Sequence, residues 1–276
     1  MKIYCIFLWA VFQSIAASAQ VNCNWYKYQG DMKKYAACLV TYAAKNHYQF
    51  SKEYQSIFDS ALCIDSSFAY AYRAKSTAYL KAGNFLEWKA LMDKAVELEP
   101  AEYLDYRGWC RYQFFRDYEG AIADLERLKS LRKKLNLYSV NGNYHLEIAL
   151  ALCYKGIKNP QKGIEIIEEK LKDSTYTVGL YDYLHLGVMY LETGQLEKAI
   201  HSLTLQQKVD LAENRFYLAR AYRLMGNAAA YKTNLQMAKE LYNKSQVLFD
   251  PYCEPMDKVF YADILAEEKN GLKNKP

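Results

Sequence analysis

The chain has 276 residues, with 36 Lys and Arg against 31 Asp and Glu and a formal net charge of +5. That balance is weakly basic and contains no long run of Lys or Arg, which argues against nucleic acid as a partner and assigns the charge mainly to solubility. The length suits one or two ordinary domains, or a single repeat array that uses all of it.

The first nineteen residues carry one charge, Lys2, followed by the apolar run "IYCIFLWAVF" and the small residues Ala17 and Ala19. This is the layout of a secretory signal peptide over 1–19, with cleavage expected between Ala19 and Gln20 and delivery to the periplasm or the exterior. Its apolar core is shorter than the ~20 residues a membrane span needs, and no later stretch approaches that length. No stable span is therefore expected after cleavage. Six cysteines would remain: Cys23, Cys38, Cys63, Cys110, Cys153 and Cys253. An even number in an oxidising compartment permits disulfides, although the spacing does not fix the pairing. Cys110 and Cys153 stand among apolar neighbours on predicted helices and read as small hydrophobes.

Helical periodicity then recurs along the chain. A degenerate helix pair is predicted over 35–68. From 69 to 100, "AYAYRAKSTAYLKAGNFLEWKALMDKAVELEP" places Tyr72, Ser76 and Tyr79 before Gly83, and Trp88, Met92, Ala95 and Pro100 after it. The next pair, 103–137, has a clear second helix from Glu119, but its first helix aligns in more than one register, which leaves the directions of Arg107 and Trp109 open. Leu131 to Asn143 lengthens the following step by about seven residues and contains the turn signal Asn-Gly-Asn. It reads as an extended helix and surface loop, with a hinge between two lobes as the alternative. Further pairs follow over 144–177 (Leu150, Ala151, Tyr154, Gly163, Ile167), 180–211 and 212–245 (Leu218, Ala219, Tyr222, Leu235, Ala238).

The copy at "YLHLGVMYLETGQLEKAIHSL" explains the pattern. Tyr183, Leu186, Gly187 and Tyr190 fall at i, i+3, i+4 and i+7, one face of a helix. Glycine there costs about 1 kcal/mol against alanine, so packing must compensate. Ser76, Ala151, Gly187 and Ala219 are read as notches that let a neighbouring helix approach closely. Gly194 then suits a left-handed helix cap, and Ala199 and Leu203 lie on the second helix.

This spacing resembles the tetratricopeptide repeat, with its aromatic-x-x-Leu-Gly-x-x-Tyr first helix and Ala-x-x-x-aromatic second helix. The resemblance covers nearly all of 20–250 and implies an all-α, right-handed superhelical solenoid of about six helix-turn-helix units. Trp88 and Tyr231 depart from it by filling sites where alanine is usual. Past the array, a C-terminal capping helix is expected within 251–268, starting near Pro255 or Met256, with Val259, Phe260, Ala262 and Ile264 covering the exposed end. Residues 269–276 are expected to be disordered.

No catalytic signature appears. His47, His145, His185 and His201 form no metal-binding pair at helical spacing, and His185 and His201 read as solvent-facing or edge residues. Glu168, Glu169, Glu267 and Glu268 read as solvated. There is no phosphate loop, nucleophile elbow or calcium loop, so neither an enzyme nor a cofactor or metal is expected. The family resemblance implies instead that the first helices line a concave surface that binds a protein or peptide. By position it would be formed by Tyr70, Arg73, Thr77, Lys81, His145, Tyr181, Arg220 and Arg223. With 27 tyrosines in the chain, the alternative is a glycan or small-ligand module using Tyr and Trp, with Trp109 as its test residue.

Overall fold

The computed structural model describes residues 21–132, 135 and 137–273, and every regular element among them is helical. The signal peptide expected over 1–19 lies outside the described residues. The chain divides into two compact units, one ending at Leu98 and the next beginning at Glu99. Residues 131–143 therefore fall inside the second unit, away from that boundary.

In the first unit, α1 (Cys23–Tyr28) and the pair α2 (Met32–Thr41) and α3 (Lys52–Ile64) precede the hairpin α4 (Ala69–Ala82) and α5 (Phe85–Leu98). Asp31 and Ser51 cap α2 and α3 by accepting the amides of Lys34 and Tyr54, which satisfies donors a helix start would otherwise leave unpaired. A Cys23–Cys38 disulfide ties α1 to α2. Its surroundings are apolar, with Phe58, Ala61, Phe68 and Ala71 all buried. Trp88 is buried despite occupying an alanine-type site.

The second unit stacks four hairpins. They are α6 (Pro100–Cys110) with α7 (Tyr118–Arg132), α8 (Leu146–Gly156) with α9 (Pro160–Lys172), α10 (Asp182–Glu192) with α11 (Leu196–Gln206), and α12 (Ala212–Leu224) with α13 (Ala228–Asn243). Gly194 and Gly226 end α10 and α12 at φ of 74° and 75°, the left-handed backbone that glycine adopts without strain. Ala151, Gly187 and Ala219 each sit on a first helix, and both alanines are fully buried. A Cβ added at Gly187 would lie 2.6 Å from Leu203 Cγ and 3.3 Å from the Ala199 carbonyl oxygen. Gly108 does the same in the third pair, where a Cβ would meet Leu125 at 3.1 Å. That fixes the register left open by the sequence: Arg107 reaches the second helix, bonding Asp124, and Trp109 is buried.

Gly187→Ala balances two effects. Helix propensity favours alanine by about 1 kcal/mol, whereas forcing Leu203 aside costs about 1–3 kcal/mol. A net loss of about 1 kcal/mol in urea unfolding is expected; a gain would show that Leu203 moves freely and that Gly187 is not a packing notch.

The last helix, α14, runs Tyr261–Lys273. It begins later than Pro255 or Met256 and extends into the segment expected to lack structure. The reason is local: the Phe260 amide is accepted by the Asp263 carboxylate at 2.8 Å, so the helix start is set there, and Pro255 belongs to the preceding connection. Val259 and Ile264 are buried as covering residues, but Phe260 and Ala262 are exposed. Tyr231 serves as the seat for α14, donating from its hydroxyl to the Glu267 carbonyl at 2.9 Å.

Candidate functional site

The first helices of the second unit form one face, and side chains gather there from every hairpin. Tyr112 comes from the π-helical turn Arg111–Phe115 that continues α6, and Tyr144 from the residues just before α8. Lys155 lies at the end of α8, His185 and Glu192 on α10, and Glu213 and Tyr217 on α12. What lies on this face is the chain itself. The connection from α13 to α14 crosses it, and its main chain is gripped at several points.

The Glu213 carboxylate accepts the Leu248 amide at 2.8 Å and the Val259 amide at 3.4 Å. The Ala212 amide donates to the Gln246 carbonyl at 2.9 Å. Arg116 donates to the Glu254 carbonyl, and the Tyr217 hydroxyl to the Asp257 carbonyl at 3.2 Å. The Asp257 side chain, 4% exposed, pairs with Lys155 and lies 2.7 Å from His185 Nδ1. On the far side of the imidazole, the Tyr144 hydroxyl is 3.2 Å from Nε2. Both ring nitrogens of His185 thus have a polar partner. Lys155 also pairs with Glu192 at 3.1 Å. Asn141 and Asn143 reach Asp250 from the loop before α8.

The electrostatics follow from burial and pairing. Burial alone would raise the Asp257 carboxyl, but Lys155 and the His185 bond outweigh it and hold the carboxyl below its ordinary range. Burial would likewise depress Lys155, and its two carboxylate partners reverse that into an upward shift. Glu213 is raised by burial, which its backbone amide donors only partly oppose. The Tyr112, Tyr144 and Tyr217 hydroxyls are pushed up mainly by burial and remain neutral donors. The arrangement can hold a carboxylate and a non-helical backbone. His185 is fully buried beneath the connection.

The residues expected to line a binding surface are distributed differently. In the first unit, Lys81 is exposed and donates to Gln49, Arg73 and Thr77 are half-buried, and Tyr70 packs into the aromatic core beside Phe58 and Phe68. In the second unit, Tyr181 is half-buried beside Tyr144. Arg223 bonds Glu267 at 2.5 Å, and Arg220 approaches the same carboxylate at 3.9 Å, so both face α14. Glu267 is consequently buried rather than solvated. His185 is buried rather than at an edge, since the connection that covers it was not visible in the spacing. Trp109 is sealed against Tyr112 and Tyr144, which removes it as a surface contact for a glycan. Among the described residues no cluster of metal-ligating side chains occurs.

His145 is 1% exposed and cannot meet a partner. It caps α8, its Nδ1 accepting the Glu147 amide at 3.2 Å. Burial and the nearby Lys170 depress its pKa to about 4. In the unfolded chain the imidazole takes a proton near pH 6.5. Its contribution to stability is therefore complete above that pH and is lost as pH falls toward 4. His145→Asn keeps a capping acceptor without a titration. Urea unfolding between pH 6.5 and 4 is expected to show a shallower loss in that variant than in the parent; equal slopes would contradict the assignment.

No family model and no curated protein matches this sequence. Solved structures do match. The chain aligns over 86% of its length with 98% of Pseudomonas aeruginosa PilF, at 16% identity and a TM-score of 0.57. It aligns over 80% with 90% of PilW, a type IV pilus biogenesis factor, at 13% identity and 0.54. A chain of the Cut9-Hcn1 hetero-tetramer of the APC/C aligns 91% of this chain with 45% of its own, at 15% identity and 0.53. At these identities the likeness establishes fold: an all-α solenoid of tetratricopeptide hairpins.

Proposed function

We propose that this tetratricopeptide-repeat chain is an exported, non-enzymatic scaffold that binds a protein or peptide partner in the cell envelope. The observation that carries the reading is the hold on residues 246–260, in which a non-helical, turn-containing stretch of polypeptide is gripped through its main chain by the first helices of the second unit. Recognition of backbone groups by fixed side chains is what binding of a non-helical peptide requires. The buried, salt-bridged chemistry around Asp257 supports binding over catalysis. Export is supported by the leader and by the Cys23–Cys38 disulfide, a bond that persists in oxidising compartments.

A partner surface is assigned to Arg73, Thr77 and Lys81 in the first unit, and a separate one to Tyr181 and the outer side of Arg220 in the second, where Arg223 is already taken up by Glu267. The purified chain used as bait in envelope extracts tests it. Arg73→Glu combined with Arg220→Glu should reduce recovery of the bound protein at least tenfold, and unchanged recovery of every captured protein would refute the assignment. N-terminal sequencing of the exported protein is expected to begin at Gln20; retention of Met1 would count against export by cleavage.

A further inference from the structure

The connection between α13 and α14 spans residues 244–260, 17 residues without regular structure. Adjacent helices of a bundle are joined by about 2–8 residues, and connections this long are uncommon without a function. Here the excess length crosses α12, α10 and the end of α8. The bonds it receives divide into two kinds. Glu213, Tyr217 and Arg116 hold main-chain groups and read no side-chain identity. The others read carboxylates: Lys155 and His185 hold the buried Asp257 side chain, and Asn141 and Asn143 reach the more open Asp250. Asp257 also holds a φ of 68°, outside the ordinary range for a residue with a side chain, the kind of backbone outlier that persists where surroundings over-determine it. Outward from the face, Phe249 and Tyr252 are 63% and 70% exposed. The segment sits on the face as a ligand would, with Leu248, Asp257 and Val259 turned in and Phe249 and Tyr252 turned out.

We infer that this face is a peptide site selective for a non-helical segment that presents an aspartate at a turn, that residues 248–260 are its internal occupant, and that an external acidic segment competes with them. The inference rests on the scaffold reading above and adds the ligand's chemistry and its competitor. Tethering gives the internal copy an effective concentration on the order of millimolar. The apparent affinity for an external peptide is reduced by the fraction of time the face is open. Weakening the internal copy alone must therefore tighten external binding.

The probe is a fluorescein-labelled synthetic peptide of residues 246–260 with serine at the Cys253 position, titrated into the full chain by anisotropy. Asp257→Asn in the chain keeps shape and tolerance of the left-handed backbone while removing the charge that Lys155 pairs. Leu248→Ala weakens the internal copy without altering Asp257, because Leu248 is fully buried, and it decides the matter should the first variant fold poorly. Each variant is expected to bind the peptide at least tenfold more tightly than the parent chain. A peptide with asparagine in place of the aspartate at the Asp257 position, and the aspartate at the Asp250 position kept, should bind the variants at least tenfold more weakly than the unaltered peptide. Equal affinity of parent and variants, or of the two peptides, overturns the inference. If that happens while Arg73→Glu with Arg220→Glu still abolishes partner capture, the scaffold reading survives and only the competing internal ligand is lost.

Discussion

Lys155→Met is expected to destabilise the second unit by about 3–5 kcal/mol, because it leaves the buried Asp257 carboxylate without its cation. The side chains are 9% and 4% exposed, so water cannot substitute for the lost partner without moving the chain. Lifting of the connection offers one relief, and the free energy of that local opening sets an upper bound on the measured loss. The double variant Lys155→Met with Asp257→Asn removes both charges and should recover most of the stability, since a buried pair replaced as a pair is often close to neutral. Urea unfolding of the two single variants and the double gives the coupling energy directly. A coupling below about 0.5 kcal/mol, within the additivity expected of independent sites, would mean that the pair does not hold the connection in place.

Asp124→Ala should cost about 3 kcal/mol by the same logic, at the opposite end of the unit. Asp124 is 3% exposed and receives Arg107 through two bonds, Nε at 2.8 Å and Nη2 at 2.6 Å. Arg111 adds a third contact at 3.0 Å. Truncation would take the buried carboxylate from both guanidinium groups, leaving Arg111 its bond to the Gly120 carbonyl and its pairing with Asp117. The bidentate fork is specific to a carboxylate, so Asp124→Asn should recover only part of the loss. Thermal unfolding of both variants checks this; an Asp124→Ala chain within about 0.5 kcal/mol of the parent would show that the arginines find other partners.

Much of the solenoid was legible because its rules are local. An aromatic, a small residue and a second aromatic at helical spacing describe one helix face, and the notch at Gly187 needs only Leu203, sixteen residues on, to give it meaning. The third pair resisted because Arg107 occupies a site usually filled by an apolar residue, and its charge is matched by a carboxylate on the next helix. The occupied face could not be read in the same way. Asp257 meets Lys155 across 102 residues and His185 across 72, and no periodicity reports such contacts. One trace was present: a long non-periodic stretch containing Asp-Pro and Glu-Pro, followed by a helix. Reading Pro255 as a helix start hid it. Contacts of this long-range kind also join α12 to α14, where Arg220 and Arg223, expected on the partner-binding face, meet Glu267, expected to be solvated.

In the second unit the chain itself covers the face of the first helices. Amide hydrogen exchange at Leu248 and Val259, measured in the intact protein under native conditions, tests it most directly, because both amides are bonded to the Glu213 carboxylate. Protection at both positions comparable to that of the interior amides of α10 and α12 is expected. Exchange at the rate of an unstructured peptide, with α10 and α12 still protected, would contradict it.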